Sequence, residues 1–197
     1  MRRYDILNKL VENGNGYLFT AEVLEKGVSK PVLAEYAKKQ NMERVAHGVY
    51  LAQDAWLDEL YVLSHANGRL VFSHESALML NGLMEREPSG ITVTVPAGYN
   101  ATHLRKKGIC VHQAKTEITK LGITELETAY GNAVRAYNRE RTICDIIRAK
   151  DSMDIQVFRY AMREYMASDD KNLIRLMEYA GYFGIESAVR TYTEVML

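Results

Sequence analysis

Apolar positions in the first fifty residues recur at helical spacing, break, and recur again. Ile6, Leu7, Leu10 and Val11 define one helix face, and Asn13-Gly14-Asn15-Gly16 ends it, since glycine takes left-handed dihedrals at little cost. Tyr17-Leu18-Phe19 is too short and aromatic for a helix and predicts a small strand. Thr20 is placed to N-cap a short second helix, Ala21 to Lys26, closed by Gly27. Ser29 suits the N-cap of a third helix with Lys30 and Pro31 in its first turn, where proline's missing N–H is harmless because those donors have no helical partner. Leu33, Tyr36, Ala37 and Gln40 share one stripe of that helix, while Lys30, Ala34, Glu35, Lys38 and Lys39 fall mostly outside it. Met42 to Leu51 alternates loosely and breaks at His47-Gly48, a dipeptide suited to a hairpin turn that needs positive φ. This order of elements is that of a winged helix-turn-helix, whose third helix enters a major groove about 12 Å wide while the hairpin lies along neighbouring phosphate.

Beyond residue 54 the periodicity changes. Ala55-Trp56-Leu57 opens a predicted helix ending near Asn67, before Gly68. Leu70-Val71-Phe72 reads as a strand, Ser73 as the cap of a helix carrying HESALMLNGL, and Ile91 to Pro96 as a β-branched strand with a terminal proline. Ala101 to Lys107 predicts a short basic helix or turn, and Ile109 to Gln113 another strand. Residues 117–137 are ambiguous: Thr124 and Glu127 could form a capping box, but Gly131-Asn132 between two β-prone arms favours a hairpin. After Asn138 the spacing is helical to the end. Ile143, Ile146 and Ile147 share a face, then Ile155, Phe158, Met162 and Tyr165, then Leu173, Leu176, Met177 and Ala180, then Ile185 to Met196. The methionine and tyrosine stripes there, Met153, Met166, Tyr160 and Tyr179 among them, are expected in the core. The predicted fold class is α+β, with a winged helix-turn-helix over residues 1–54 and a larger mixed α/β domain over 55–197 ending in a helical bundle.

Composition narrows the class. With 47% apolar and 25% charged residues and three prolines, the 197 residues should fold throughout. No apolar run approaches the roughly 20 residues a membrane-spanning helix needs. Met1-Arg2-Arg3 is followed by a polar amphipathic stretch with no secretion-signal pattern, so a cytoplasmic protein is expected. Cys110 and Cys144 are distant and each lies in an apolar run, which predicts two buried reduced thiols with no metal knuckle.

The formal net charge of zero argues against a protein that coats nucleic acid indiscriminately. The distribution says more: 8 basic and 6 acidic residues in 1–50, 2 and 6 in 51–100, 10 and 5 in 101–150, and 5 and 8 in 151–197. Lys30, Lys38, Lys39 and Arg44 are candidates for phosphate contacts, Ser29 and the Lys30 end of the third helix for base edges or backbone, and His47 sits in the turn beside them. Glu35 could accept from a cytosine amine or pair with Lys38 or Lys39. Arg105, Lys106, Lys107, Lys115, Arg135, Arg139 and Arg148 form either a second phosphate-facing surface or scattered solvated charge.

Catalytic patterns are largely missing: there is no nucleophile elbow, phosphate loop, dinucleotide fingerprint or His-Glu-x-x-His. His65, His74, His103 and His112 are too irregularly spaced for a metal cluster, and no cofactor is expected. Asp169-Asp170-Lys171 is the one triplet with nuclease-like spacing, and its acids are explained by a helix start.

Three stretches, GVSKPVLAEYAKKQNMERVAHGVYLA, FSHESALMLNGL followed by ITVTVP, and RERTICDIIRAKD, carry a resemblance in their order and spacing. Together they resemble the AbiEi-type abortive-infection antitoxins of bacterial type IV toxin–antitoxin systems over most of the chain, the last looking like that family's Glu-Arg-Thr-x-x-Asp segment. The resemblance implies a non-enzymatic autorepressor whose N-terminal domain binds inverted repeats in its own operator. It also implies a C-terminal domain that neutralises a nucleotidyltransferase-like toxin without a stable complex. No residue motif for the antitoxic surface carries over. Absence of a coiled coil or dimer face in the sequence predicts a monomer that pairs on DNA. Arg141 and Asp145 lie four apart and can pair, which gives RERTICDII a structural reading as well. A ligand-sensing transcriptional regulator is the alternative from another class.

Overall fold

The first apolar stripe becomes helix α1 (Arg3–Asn13), followed by strand β1 (Tyr17–Phe19), helices α2 (Thr20–Glu25) and α3 (Lys30–Lys39), strands β2 (Glu43–Ala46) and β3 (Val49–Leu51), and helix α4 (Glu59–Ala66). These belong to a computed structural model describing residues 3–196; Met1 and Arg2, used above to read the N-terminus, and Leu197 lie outside the described residues. The strands pair antiparallel in the order β1-β3-β2. Leu7, Leu18, Val23, Val28, Leu33 and Tyr36 form one core, with Leu7, Leu33 and Tyr36 on the predicted stripes, while Gln40 caps α3 and is exposed.

Two local expectations change. Thr20 is the first residue of α2, not its cap, and its N–H goes to Gly48 O at 2.8 Å, which ties the hairpin turn to the start of that helix. Gly48 has φ +73, and a Cβ there would stand 3.3 Å from Thr20 Oγ1. Helix α4 starts at Glu59 and not at Ala55, because the Asp58 carboxylate accepts the Tyr61 N–H at 3.1 Å as an N-cap, leaving Trp56 78% exposed in the preceding loop.

The chain divides into two compact units, the first running to Asn67 and including Thr128–Asn132, the second comprising Gly68–Glu127 and Ala133 onward. The boundary expected after residue 54 falls inside the first unit. Asp58 is the physical reason: buried, it donates its N–H to Tyr17 Oη at 2.6 Å and accepts from Thr128 Oγ1 and from Asn132 Nδ2 at 2.8 Å. Tyr61 of α4 packs edge-on against Tyr17 and Phe19 at 5.1 and 5.5 Å.

The second unit contains strand β4 (Val71–Phe72), helix α5 (His74–Leu80), strand β5 (Thr92–Pro96), helix α6 (Thr102–Arg105), strand β6 (Cys110–Ala114), helix α7 (Thr116–Lys120), and the hairpin β7 (Ile123–Glu127) and β8 (Ala133–Tyr137). Helices α8 (Arg139–Ala149), α9 (Ile155–Ala167), α10 (Leu173–Phe183) and α11 (Glu186–Met196) follow. The five-stranded sheet runs β6-β5-β4-β8-β7, with β5/β6 and β4/β8 parallel and the other pairs antiparallel. The fold class is mixed, α+β, with a helical C-terminal third.

Ile143, Ile146, Phe158, Met162, Tyr165, Leu176 and Ala180 join one core, whereas Ile155 at the start of α9 is exposed. Cys144 is buried as expected; Cys110 is exposed, because β6 is an edge strand with one side open. Thr124 and Glu127 are strand residues, so the capping-box alternative falls away, and α7 occupies a segment expected to be extended.

Candidate functional site

In the first unit, Leu33, Tyr36 and Ala37 point into the core, and Lys30, Ala34 and Lys38 form one exposed row at four-residue spacing. Ala34 leaves that row low enough for close approach. Ser29 caps α3 by position only: its side chain makes no capping bond and stays exposed. Lys39 is exposed with its ammonium 5.4 Å from the centre of the Tyr4 ring, and Glu35 accepts a hydrogen bond from Tyr4 Oη at 3.0 Å in place of the expected lysine pair. Arg44 and His47 lie exposed at the hairpin, Nη2 to Nδ1 3.2 Å apart. Among the described residues none of Lys30, Lys38, Lys39 and Arg44 takes part in an ion pair. They are free to meet an external anion. Helix α3 has 10 residues and is about 15 Å long, enough to lie across a groove.

The second basic block disperses. Arg135 donates to the carbonyls of Gly68 and Leu70, and Arg139 donates to Ser168 Oγ at 2.7 Å and Asn81 O at 3.3 Å while lying 3.8 Å from Asp170. These two arginines fasten loops. Arg105, Lys106 and Lys107 are exposed at and after α6, whereas Lys115 and Arg148 line a cavity of about 580 Å³ in the second unit, together with His74, Thr94, His112 and Arg141.

That cavity is built around a buried pair on α8. Arg141 Nε lies 3.2 Å from each oxygen of Asp145, both side chains being 2% exposed, and Arg141 Nη1 donates to Ile118 O at 2.6 Å and Leu121 O at 2.8 Å. Its guanidinium carbon stands 4.0 Å from the centre of the Tyr137 ring and 4.7 Å from that of Phe183. Gly122 makes this possible: its φ is +76, and a Cβ there would come within 2.6 Å of Arg141 Cβ. Arg148, 48% exposed, reaches Asp145 at 3.7 Å and stacks over Phe183 at 4.6 Å. Burial pushes the Asp145 carboxyl up, while Arg141 and Arg148 pull it back.

On the opposite wall the His74 and His112 rings stack at 3.7 Å. His74 has φ +48, a strained backbone for a residue with a side chain. Thr94 Oγ1 lies 2.9 Å from Ser73 Oγ, which in turn lies 3.1 Å from His74 Nδ1, so the three side chains form one hydrogen-bonded chain. Burial, then the neighbouring His112, Arg141 and Arg148, lower His74 to about 3, and burial with Arg148 also lowers His112. Both rings are neutral at pH 7. Among the described residues no group of three or more His, Cys, Asp or Glu side chains is arranged to hold a metal ion.

Sequence spacing pointed to Lys115 and Arg148 only as members of a charge block, and to the histidines as too irregularly spaced for a metal cluster. No local signal joins them: His112 reaches Thr94 through the parallel pairing of β5 and β6, and His74 reaches both through the β4–α5 junction. The stretches FSHESALMLNGL, ITVTVP and RERTICDIIRAKD, far apart in the chain, each supply cavity residues.

No protein-family model and no curated protein matches the sequence. Among solved structures the chain is similar to the RV2827C protein from Mycobacterium tuberculosis, with a TM-score of 0.57 and 12% identity over 89% of this chain and 70% of that one. At that identity the likeness concerns the fold alone. No helix among the described residues is long and apolar enough to cross a membrane.

Proposed function

We propose that the chain is a DNA-binding antitoxin and autorepressor of a type IV toxin–antitoxin system, with α1 to β3 acting as a winged helix-turn-helix. The observation that carries the reading is the unpaired basic row of Lys30 and Lys38 on the exposed side of α3, beside Lys39 and the hairpin cation Arg44. In this reading α3 enters the major groove, Ser29 and Lys30 meet base edges or backbone at its N-terminal end, and Arg44 with His47 contacts flanking phosphate. The operator carries inverted repeats in the chain's own promoter, on which two monomers pair in the cytoplasm. The toxin is nucleotidyltransferase-like and is neutralised without a stable complex, and the chain itself is not an enzyme.

The test is a gel-shift titration on the DNA upstream of its own gene at several salt concentrations. Four phosphates neutralised per protomer give a slope of log affinity on log salt of about −3.6, and a bound pair about −7. A flat response contradicts the reading. Coexpression with the product of the adjacent gene tests the antitoxin half: growth is rescued by the intact chain and not by the first unit alone.

A further inference from the structure

We propose that the cavity of the second unit binds a small phosphate ester about the size of a mononucleotide, with Arg148 and Lys115 holding the phosphate beside the fixed positive charge of Arg141. The site goes beyond DNA binding, involves no residue of α3 or the hairpin, and stands whether or not the first unit contacts an operator.

Charge is the first argument. Three cations, Lys115, Arg141 and Arg148, face the space with a single carboxylate, Asp145, among the lining side chains, and both Asp145 oxygens are already taken by guanidinium contacts. The walls therefore carry an excess of positive charge that a dianion matches.

Preorganisation is the second. Arg141 is held by two carbonyls, a carboxylate, two aromatic faces and the Tyr137 hydroxyl. A guanidinium fixed in this way keeps its charge at the cavity wall with little entropy left to lose on binding. A purely structural Arg141–Asp145 pair accounts for the helix anchor. It does not account for a second arginine on the same carboxylate, for Lys115 beside it, or for the left-handed backbone at His74, a strain of the kind kept at binding sites.

Size and surface are the third. A volume of about 580 Å³ falls within the range of about 300–1,000 Å³ typical of small-molecule sites and leaves room beyond a bare phosphate. Tyr182, 60% exposed, also lines it and offers a ring face for the rest of the ester. The stacked neutral imidazoles of His74 and His112 add donors that do not repel the cations at pH 7.

The experiment is isothermal titration calorimetry of the full chain with inorganic phosphate, AMP, glucose 6-phosphate and adenosine, repeated on Arg148→Gln and Lys115→Gln, with Lys106→Gln as control. Phosphate is expected to bind at millimolar concentration and at least one ester about tenfold more tightly, with adenosine silent. Each cavity variant weakens the ester about tenfold, and the control does not. Circular dichroism melts of both partly exposed variants establish that they fold. Absence of phosphate and ester binding at millimolar concentration overturns the proposal, as does binding unchanged in both cavity variants.

Discussion

Replacing Asp145 with alanine removes the only carboxylate paired, among the described residues, with Arg141, a guanidinium whose side chain is 2% exposed. Arg141 cannot shed its proton, so its charge stays buried with neutral partners, the carbonyls of Ile118 and Leu121, the Tyr137 hydroxyl and two ring faces. Breaking one side of such a pair costs about 3–5 kcal/mol, a large share of the roughly 5–15 kcal/mol that holds a domain together. The double variant Arg141→Met with Asp145→Leu removes both charges and regains most of that loss. It still orphans the two carbonyls that Nη1 satisfied, leaving about 1–3 kcal/mol unrecovered. Urea unfolding followed by far-ultraviolet circular dichroism, fitted with separate transitions for the two units, measures the parent, Asp145→Leu, Arg141→Met and the double variant as the four corners of a cycle, with Asp145→Ala beside them. If Asp145→Ala costs less than about 1 kcal/mol, or if the double variant loses the sum of the singles, the pair does not anchor α8 as described.

Gly122→Ala combines a left-handed φ with a Cβ 2.6 Å from Arg141 Cβ, so it should cost at least about 2 kcal/mol; a melting temperature equal to the parent's would contradict that contact. His74 titrates near 3 in the folded chain against 6.5 when free, so the unfolded chain takes up a proton that the folded chain refuses. Its contribution is intact above about pH 6.5 and declines on acidification, by about 1 kcal/mol at about pH 5 once its partial exposure is allowed for. His112, Arg141 and Arg148 push in the same direction, and His74→Gln should flatten this part of the stability profile in urea titrations at several pH values.

Local elements were readable where one periodicity dominated. Leu7, Leu33 and Tyr36 fall on stripes that stay buried, and His47-Gly48 turns where its dihedrals demand. Failures came where a single long-range contact decided. Asp58 caps α4 and bonds residues seventy positions away, which moves both the start of α4 and the edge of the first unit. Cys110 looks like a core residue by its neighbours, yet its strand ends the sheet. Arg141 with Asp145 was legible as a helical pair, whereas the cavity around it was not, since strand order brings Thr94, His112 and Lys115 to α8. The exposed basic side of α3 was fully visible in the spacing of Lys30, Ala34 and Lys38, because helix geometry alone sets it.

The proposed function stands on that side of α3 and the adjoining hairpin. Fluorescence anisotropy with labelled upstream DNA, comparing the parent chain with the combined Lys30→Glu, Lys38→Glu and Arg44→Glu variant, probes it most directly. All three side chains are exposed and free of ion pairs among the described residues, so the fold should persist by circular dichroism. The account predicts a loss of affinity of at least about a hundredfold together with a shallower salt slope. Unchanged affinity in a folded triple variant contradicts it.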